Sequence, residues 1–139
     1  MIKKLLITTF IGTLAYFLIG WFVFDFILGN YTDQHTARLV GFKKTSQESS
    51  LILLIVSCGA YAALMSFMLV YLLNLKQLMK AFTIGAIVGV LVAIMADSYW
   101  LAVTNFYSNS TVVIFDIIGA GFTVGLLGLI VALTNKNLG

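Results

Sequence analysis

The chain has 139 residues, and its composition differs sharply from that of a water-soluble domain. Hydrophobic residues make up 61% of the chain, charged residues only 9%, and the mean hydropathy is +1.07. Soluble domains carry roughly 45–50% apolar and about 25% charged residues. These values exclude a soluble protein and predict an integral membrane protein that forms one domain over residues 1–139. The net charge of +3 is too small and too scattered to predict nucleic-acid binding.

Four apolar segments are long enough to cross a bilayer as helices. A transmembrane helix needs about 17 to 25 residues, and the chain contains no proline, which fits uninterrupted helices. The predicted spans are residues 5–29, 51–75, 81–103 and 111–133. The predicted fold class is therefore all-α, a polytopic membrane protein with an antiparallel bundle of four transmembrane helices. The first span imitates a signal peptide but is longer and lacks a clear cleavage site, so we expect it to be retained.

The basic residues predict how the chain is oriented. An even number of spans places both termini on one side, together with five lysines: Lys3, Lys4, Lys76, Lys80 and Lys136. The polar outer loop, residues 30–50, is predicted either to hold a short surface helix around Leu39, Val40 and Phe42 or to be a solvated loop. It carries Arg38, Lys43 and Lys44 with Asp33 and Glu48. The excess of lysine predicts a bacterial inner-membrane protein with both termini in the cytoplasm, and the adjacent pair of lysines in the loop argues against it.

Small residues recur along one face of each predicted span. In the third span they stand at every fourth position: Ala81, Gly85, Gly89 and Ala93. Residues at that spacing form a ridge that lets another backbone approach closely. The fourth span has a similar strip, and the first two have shorter ones: Gly121, Gly125, Gly128 and Ala132, then Gly12 and Gly20, then Gly59 and Ala63. We expect these faces to pack helices together, within one chain or between chains.

Three aspartates lie inside the predicted spans at a similar depth. Asp25 and Asp97 come four and six residues before the outer ends of their spans, and Asp116 comes five residues after the outer start of its span. At about 1.5 Å of rise per residue, all three lie about 6 to 9 Å below the outer edge. Asp97 also continues the ridge of small residues. No lysine or arginine lies within the spans to pair with them.

An ionised aspartate in a bilayer costs at least a few kcal/mol, so the three carboxyl groups need a physical explanation. Protonation, hydration in an aqueous vestibule and a bound cation are the three options. One hypothesis is a proton, cation or solute site formed by Asp25, Asp97 and Asp116 with Asn105, Tyr107 and Trp21 nearby. The alternative is that the carboxyl groups are shallow enough to be hydrated, or serve as hydrogen bonds between helices.

Several kinds of chemistry have no support in the sequence. The single histidine, His35, stands in the outer loop without a cysteine or second histidine near it, which argues against a metal centre or paired-histidine haem. The single cysteine, Cys58, lies in an apolar run and is expected to act as a small hydrophobic residue. No serine has a basic partner that would activate it as a nucleophile. We therefore expect no enzymatic activity and no cofactor.

Two stretches of the chain are similar to stretches of other membrane proteins: "MIKKLLITTFIGTLAYFLIGWFVF" and "VTNFYSNSTVVIFDIIGAGFTVGLLGLIVAL". A Thr-Asn pair after span three precedes a final helix with an early aspartate and several glycines. In this the chain resembles an uncharacterised family of small four-span bacterial inner-membrane proteins, and "DSYWLAVTNFY" is similar to a second such family. The resemblance covers most of the chain and implies an inner-membrane helix bundle, without implying an activity.

Two classes of function follow from these features. The first is a non-catalytic accessory or scaffold subunit that packs, through glycine-rich helix faces, against a membrane-protein partner or a second copy of itself. The second is a small transporter or channel module with its site at the acidic layer. The first is favoured because no acidic residue reaches the bilayer centre, so no path across is visible. Apart from these, the expected partner is the lipid bilayer.

Overall fold

The computed structural model describes residues 1–36 and 49–139, and this part of the chain is almost entirely helical. Helix α1 spans Ile2–Gly20, α2 spans Gly29–His35, α3 spans Leu51–Ser66, α4 spans Leu78–Val103 and α5 spans Ser110–Asn137. Counting the π-helical continuations of α1 and α3 described below, four helices are long and apolar enough to cross a membrane. The all-α bundle of four spans is therefore confirmed, and the chain is a multi-pass membrane protein.

The helix bounds correct the predicted spans at several ends. The first span begins at Ile2 and ends at Ile27, the second ends at Leu72, and the last two extend further on the side of the termini, beginning at Leu78 and ending at Asn137. The region predicted as loop opens with the short helix α2. The residues that suggested a surface helix, Leu39, Val40 and Phe42, lie outside the described residues, as do Arg38, Lys43, Lys44 and Glu48.

Two spans change from α-helical to π-helical geometry near one end. Trp21–Ile27 continues α1, and Phe67–Leu72 continues α3. Each of these spans remains one continuous helix, Ile2–Ile27 and Leu51–Leu72, as the prediction of uninterrupted helices requires. In a π-helix each bond spans one residue more, as in the donation from Leu28 N to the Val23 carbonyl oxygen at 2.9 Å. Both segments keep the backbone hydrogen-bonded, which a bilayer requires.

Helix α5 occupies the centre of the bundle. Half of the residues in the most apolar 18-residue stretch of α5 are buried in the protein, against 17 to 22% in the corresponding stretches of the other three spans. It packs against α4 on one side and against α1 and α3 on the other, while α1 and α3 form a second pair. The buried core between them consists of Ala62, Met65, Leu69, Val70, Ala81, Val124, Leu127, Val131 and Ala132.

Glycine determines how closely α4 and α5 approach. The buried residues of α4 are Ala81, Gly85, Gly89, Ala93 and Asp97, which is the ridge that the four-residue spacing defines. A Cβ placed on Gly85 would lie 2.3 Å from the Val124 carbonyl oxygen, and one on Gly89 would lie 2.4 Å from that of Ala120. These separations leave no room for a side chain, so the two backbones meet directly. On the facing helix, Gly121 and Gly125 receive side chains of α4.

The shorter strips behave differently from one another. Gly12 packs close to Ala62 and Leu127, since an added Cβ would lie 3.2 Å from each. Gly20 has no atom within 4 Å of an added Cβ, and Ala63 is exposed. Only part of each predicted strip is therefore used for packing inside the chain.

Both ends of the chain lie at the same end of the bundle. The Lys4 ammonium donates to the Gly139 carbonyl oxygen, and Asn135 Nδ2 donates to the Leu75 carbonyl oxygen at 3.2 Å, which ties α5 to the connection between α3 and α4. We call this end the terminal face. The opposite end, where α2 meets the connection between α4 and α5, is the loop face.

Candidate functional site

The carboxyl group of Asp97 is buried at the loop-face end of α4. Only 4% of Asp97 is exposed, because the residue continues the ridge that packs on α5. Its Oδ1 accepts a hydrogen bond from the Tyr107 hydroxyl at 2.8 Å. Its Oδ2 is buried and has no hydrogen-bond partner among the described residues. An unsatisfied buried carboxylate oxygen is costly, so Oδ2 requires a hydrogen-bond donor or a proton of its own.

Asp116 of α5 lies near Asp97, close enough for the two carboxyl groups to interact electrostatically. It is half-buried and enters from the second turn of the helix. Two ionised carboxylates offer each other no donor, and like charges at this distance repel strongly. The pair therefore needs a proton or a cation, and no lysine of residues 1–36 or 49–139 supplies the charge, since Lys3, Lys4, Lys76, Lys80 and Lys136 belong to the terminal face. We call Asp97 and Asp116 the carboxyl pair.

Tyr107 lies over the carboxyl pair because of the way α4 ends. Thr104 Oγ1 donates to the Trp100 carbonyl oxygen at 2.7 Å and accepts from Phe106 N at 3.2 Å, which turns the chain back towards α4. Burial raises the pKa of the Tyr107 hydroxyl well above its ordinary value, and the hydrogen bond to Asp97 and the charges of both aspartates raise it further. The hydroxyl therefore stays protonated and remains a donor.

The end of α2 holds Tyr107 in this place. Thr36 forms an isolated antiparallel bridge with Tyr107, and the His35 carbonyl oxygen accepts from Ser108 N at 2.9 Å and from Ser108 Oγ at 2.7 Å. The end of α2 is thus paired with the connection between α4 and α5. The backbone of His35 carries this contact, and its ring Nδ1 lies 2.9 Å from the Tyr31 carbonyl oxygen. Within the described ranges, no group of three His, Cys, Asp or Glu residues is arranged to hold a metal ion.

The other predicted site residues lie apart from the carboxyl pair. Asp25 and Trp21 are exposed on the π-helical segment and line a groove between α1 and α3. Asn105 is exposed in the connection between α4 and α5. The structure therefore brings together two of the three aspartates and Tyr107, and it places Asp25 with Trp21 in a separate feature.

Hydroxyl groups that the sequence did not single out continue from the carboxyl pair towards the middle of the bundle. Tyr16 of α1 lies near Thr123 of α5 and interacts electrostatically with Asp116. Thr123 is fully buried and also donates to the Ala120 carbonyl oxygen at 3.1 Å. The Tyr16 ring packs against that of Tyr61, with 5.3 Å between centroids. The one signal in the sequence was the spacing of Asp116 and Thr123, which are seven residues apart and so share a face of α5.

Compared with models of protein families, with curated proteins and with solved structures, the chain has no match.

Proposed function

We propose that this membrane protein holds a proton at the carboxyl pair and uses it in transport across the bacterial inner membrane, with both termini in the cytoplasm. The buried, unpartnered Oδ2 of Asp97 beside a second carboxyl group carries the proposal. One proton held between the two groups supplies the missing donor and removes one of two like charges. Carboxyl groups that share a proton in this way are a recurrent device for holding an acid neutral at working pH.

The position of the site supports a role in moving a proton rather than only storing one. The carboxyl pair lies near the loop face, and Thr123 lies thirteen residues into α5, which is about 20 Å along the helix. Asp116 and Thr123 are seven residues apart, so with Tyr16 they place ionisable and hydroxyl groups over about 10 Å of the span. Titratable residues inside membrane spans commonly mark proton and ion pathways.

Proton flux into proteoliposomes tests this proposal. The purified chain is reconstituted with a trapped pH indicator, and a membrane potential is imposed. We expect the Asp97→Asn and Asp116→Asn variants to lose most of the flux seen with the unaltered chain, because an amide cannot release a proton. Asp33→Asn, which removes a carboxylate from the exposed helix α2, is the matched control and should retain the flux. Equal flux in all four proteins, or none in the unaltered chain, would contradict the proposal.

A second function, a non-catalytic accessory or scaffold subunit, is favoured by a different observation. Residues 51–57, which form the loop-face half of α3, are all exposed, although a helix packed on one side buries part of each turn. This half-helix presents a surface for a membrane-protein partner or a second copy, whereas the small-residue faces of α4 and α5 are used up inside the chain. Native mass spectrometry of a gently solubilised sample tests it: a stable heteromer supports a scaffold, and a monomer or homodimer that retains a small ligand supports transport.

A further inference from the structure

A groove on the side of the bundle is a second candidate site, separate from the carboxyl pair. It lies between α1, with its π-helical continuation, and the exposed half of α3, and it has a volume of about 250 Å³. Aromatic and aliphatic side chains form its walls, and one carboxylate lies among them: Tyr16, Phe17, Trp21, Phe24, Leu54 and Asp25. Trp21, Asp25 and Leu54 of its lining are exposed, so the groove is open to the surroundings of the bundle.

Asp25 gives the groove a negative charge that the described residues do not balance. It is the one charged residue of the lining, and no ion pair to it is present in the described ranges. The described lysines belong to the terminal face, far from the loop-face end of α1. A carboxylate among apolar walls attracts a cation more strongly than one in open water does.

The local backbone presents this charge together with an aromatic ring. Trp21 and Asp25 both belong to the π-helical segment Trp21–Ile27, a geometry that recurs at functional sites. They are four residues apart and line the same groove. Gly20 precedes them, and an added Cβ there would meet no atom within 4 Å. The glycine therefore keeps open a space that the protein itself does not fill.

We propose that this groove binds a monovalent organic cation with an apolar body. The cationic group lies between the Asp25 carboxylate and the Trp21 ring, which attracts cations through its electron-rich face. The apolar body packs against Phe17, Phe24 and Leu54. Because the lining residues belong to two membrane-spanning helices, a lipophilic cation reaches the groove from the bilayer. An inorganic cation is a poorer occupant, since one carboxylate cannot replace its hydration shell.

Equilibrium binding of radiolabelled tetraphenylphosphonium to the purified full-length chain in detergent tests the proposal. We expect saturable binding that weakens by about tenfold in Asp25→Asn, which keeps the shape of the side chain and removes its charge. Gly20→Leu should abolish binding, because the leucine side chain occupies the open space. Two matched controls should bind like the unaltered chain: Asp33→Asn removes a carboxylate outside the groove, and Ala63→Leu adds bulk to an exposed position of α3.

Three results would overturn the proposal. Equal binding by Asp25→Asn and the unaltered chain would show that the charge is not recognised. Competition by the neutral tetraphenylmethane as effective as by unlabelled tetraphenylphosphonium would show that the groove takes any apolar group. Loss of binding in nanodiscs that contain phosphatidylethanolamine, but not in those that contain phosphatidylglycerol, would show that a lipid ammonium group occupies the site. If Gly20→Leu fails to elute as a folded particle, Asp25→Asn and the neutral competitor decide the question.

Discussion

At the scale of single residues, Tyr107 makes the burial of Asp97 tolerable. Its hydroxyl donates to Oδ1 of Asp97 at 2.8 Å. The backbone bridge between Tyr107 and Thr36 fixes the position of the tyrosine. The sequence indicated that Asp97 faces another helix, because it continues a ridge of small residues. It did not indicate that a tyrosine ten residues later folds back over it, because that depends on the turn at Thr104 and on pairing with a loop far away in the chain.

Removing the Tyr107 hydroxyl should destabilise the protein. Tyr107→Phe removes the donor to Oδ1 of the buried Asp97 carboxyl group, and we expect a loss of about 1 to 2 kcal/mol in the free energy of unfolding. Unfolding in mixed micelles by increasing denaturing detergent measures it. Tyr99→Phe, at an exposed tyrosine that packs edge-on against Trp100, is the control. A loss no larger than that of the control would show that the hydrogen bond is dispensable.

The Tyr107 hydroxyl should also titrate abnormally. Because the folded-state pKa lies above the ordinary 10.0, the folded protein keeps the proton at a pH where the unfolded chain releases it. The stabilisation is therefore complete below pH 10.0 and is lost as the pH rises through the folded-state value. The difference in tyrosinate absorbance between the unaltered chain and Tyr107→Phe isolates this residue. A difference curve with its midpoint at the ordinary value would contradict the geometry.

At the scale of helices, the contact between α4 and α5 could be predicted, whereas the π-helical segments could not. Glycine and alanine at every fourth position necessarily share a face, and the structure buries that face from Ala81 to Asp97. A π-helix leaves no comparable pattern in the sequence, because it depends on how a short backbone segment is packed. Trp21–Ile27 and Phe67–Leu72 contain no glycine or proline to mark them.

A single methyl group on the α4 ridge should separate the two helices. In Gly89→Ala the new Cβ would lie 2.4 Å from a backbone oxygen of α5, which cannot move aside as a flexible side chain can. We expect a loss of about 1 to 3 kcal/mol in stability from overpacking. Gly20→Ala meets no atom within 4 Å and should be neutral or slightly stabilising, since alanine favours a helix. Detergent unfolding compares the two variants, and equal stabilities would refute direct backbone contact.

At the scale of the whole molecule, the central place of α5 separates the two polar features of the loop face. The carboxyl pair forms on the side where α5 meets α4, and Asp25 lies on the side where α1 meets α3. A similar depth for the three aspartates stays a prediction from span lengths. Their separation could not be predicted, because depth does not determine the order of helices around a bundle. Asn135 shows the same limit: its donation to Leu75 joins α5 to the distant connection between α3 and α4.

The orientation of the whole bundle is open to a direct test. Replacing Cys58 by alanine removes the single cysteine, and new cysteines at the exposed positions Ser110 and Asn137 report on the loop face and the terminal face. With an impermeant maleimide on intact cells, we expect Ser110→Cys to react. Asn137→Cys should react only after the membrane is permeabilised, because the lysines of the terminal face favour the cytoplasm. The reverse pattern would place both termini outside.

Infrared spectroscopy shows directly whether the carboxyl pair holds a proton inside the bundle. A protonated carboxyl group has a C=O stretching band well separated from the carboxylate bands, and deuterium exchange shifts it. We predict such a band in the unaltered chain at neutral pH, lost or displaced in both Asp97→Asn and Asp116→Asn and retained in Asp33→Asn. Absence of the band, or a band that both substitutions at the pair leave unchanged, would contradict the account.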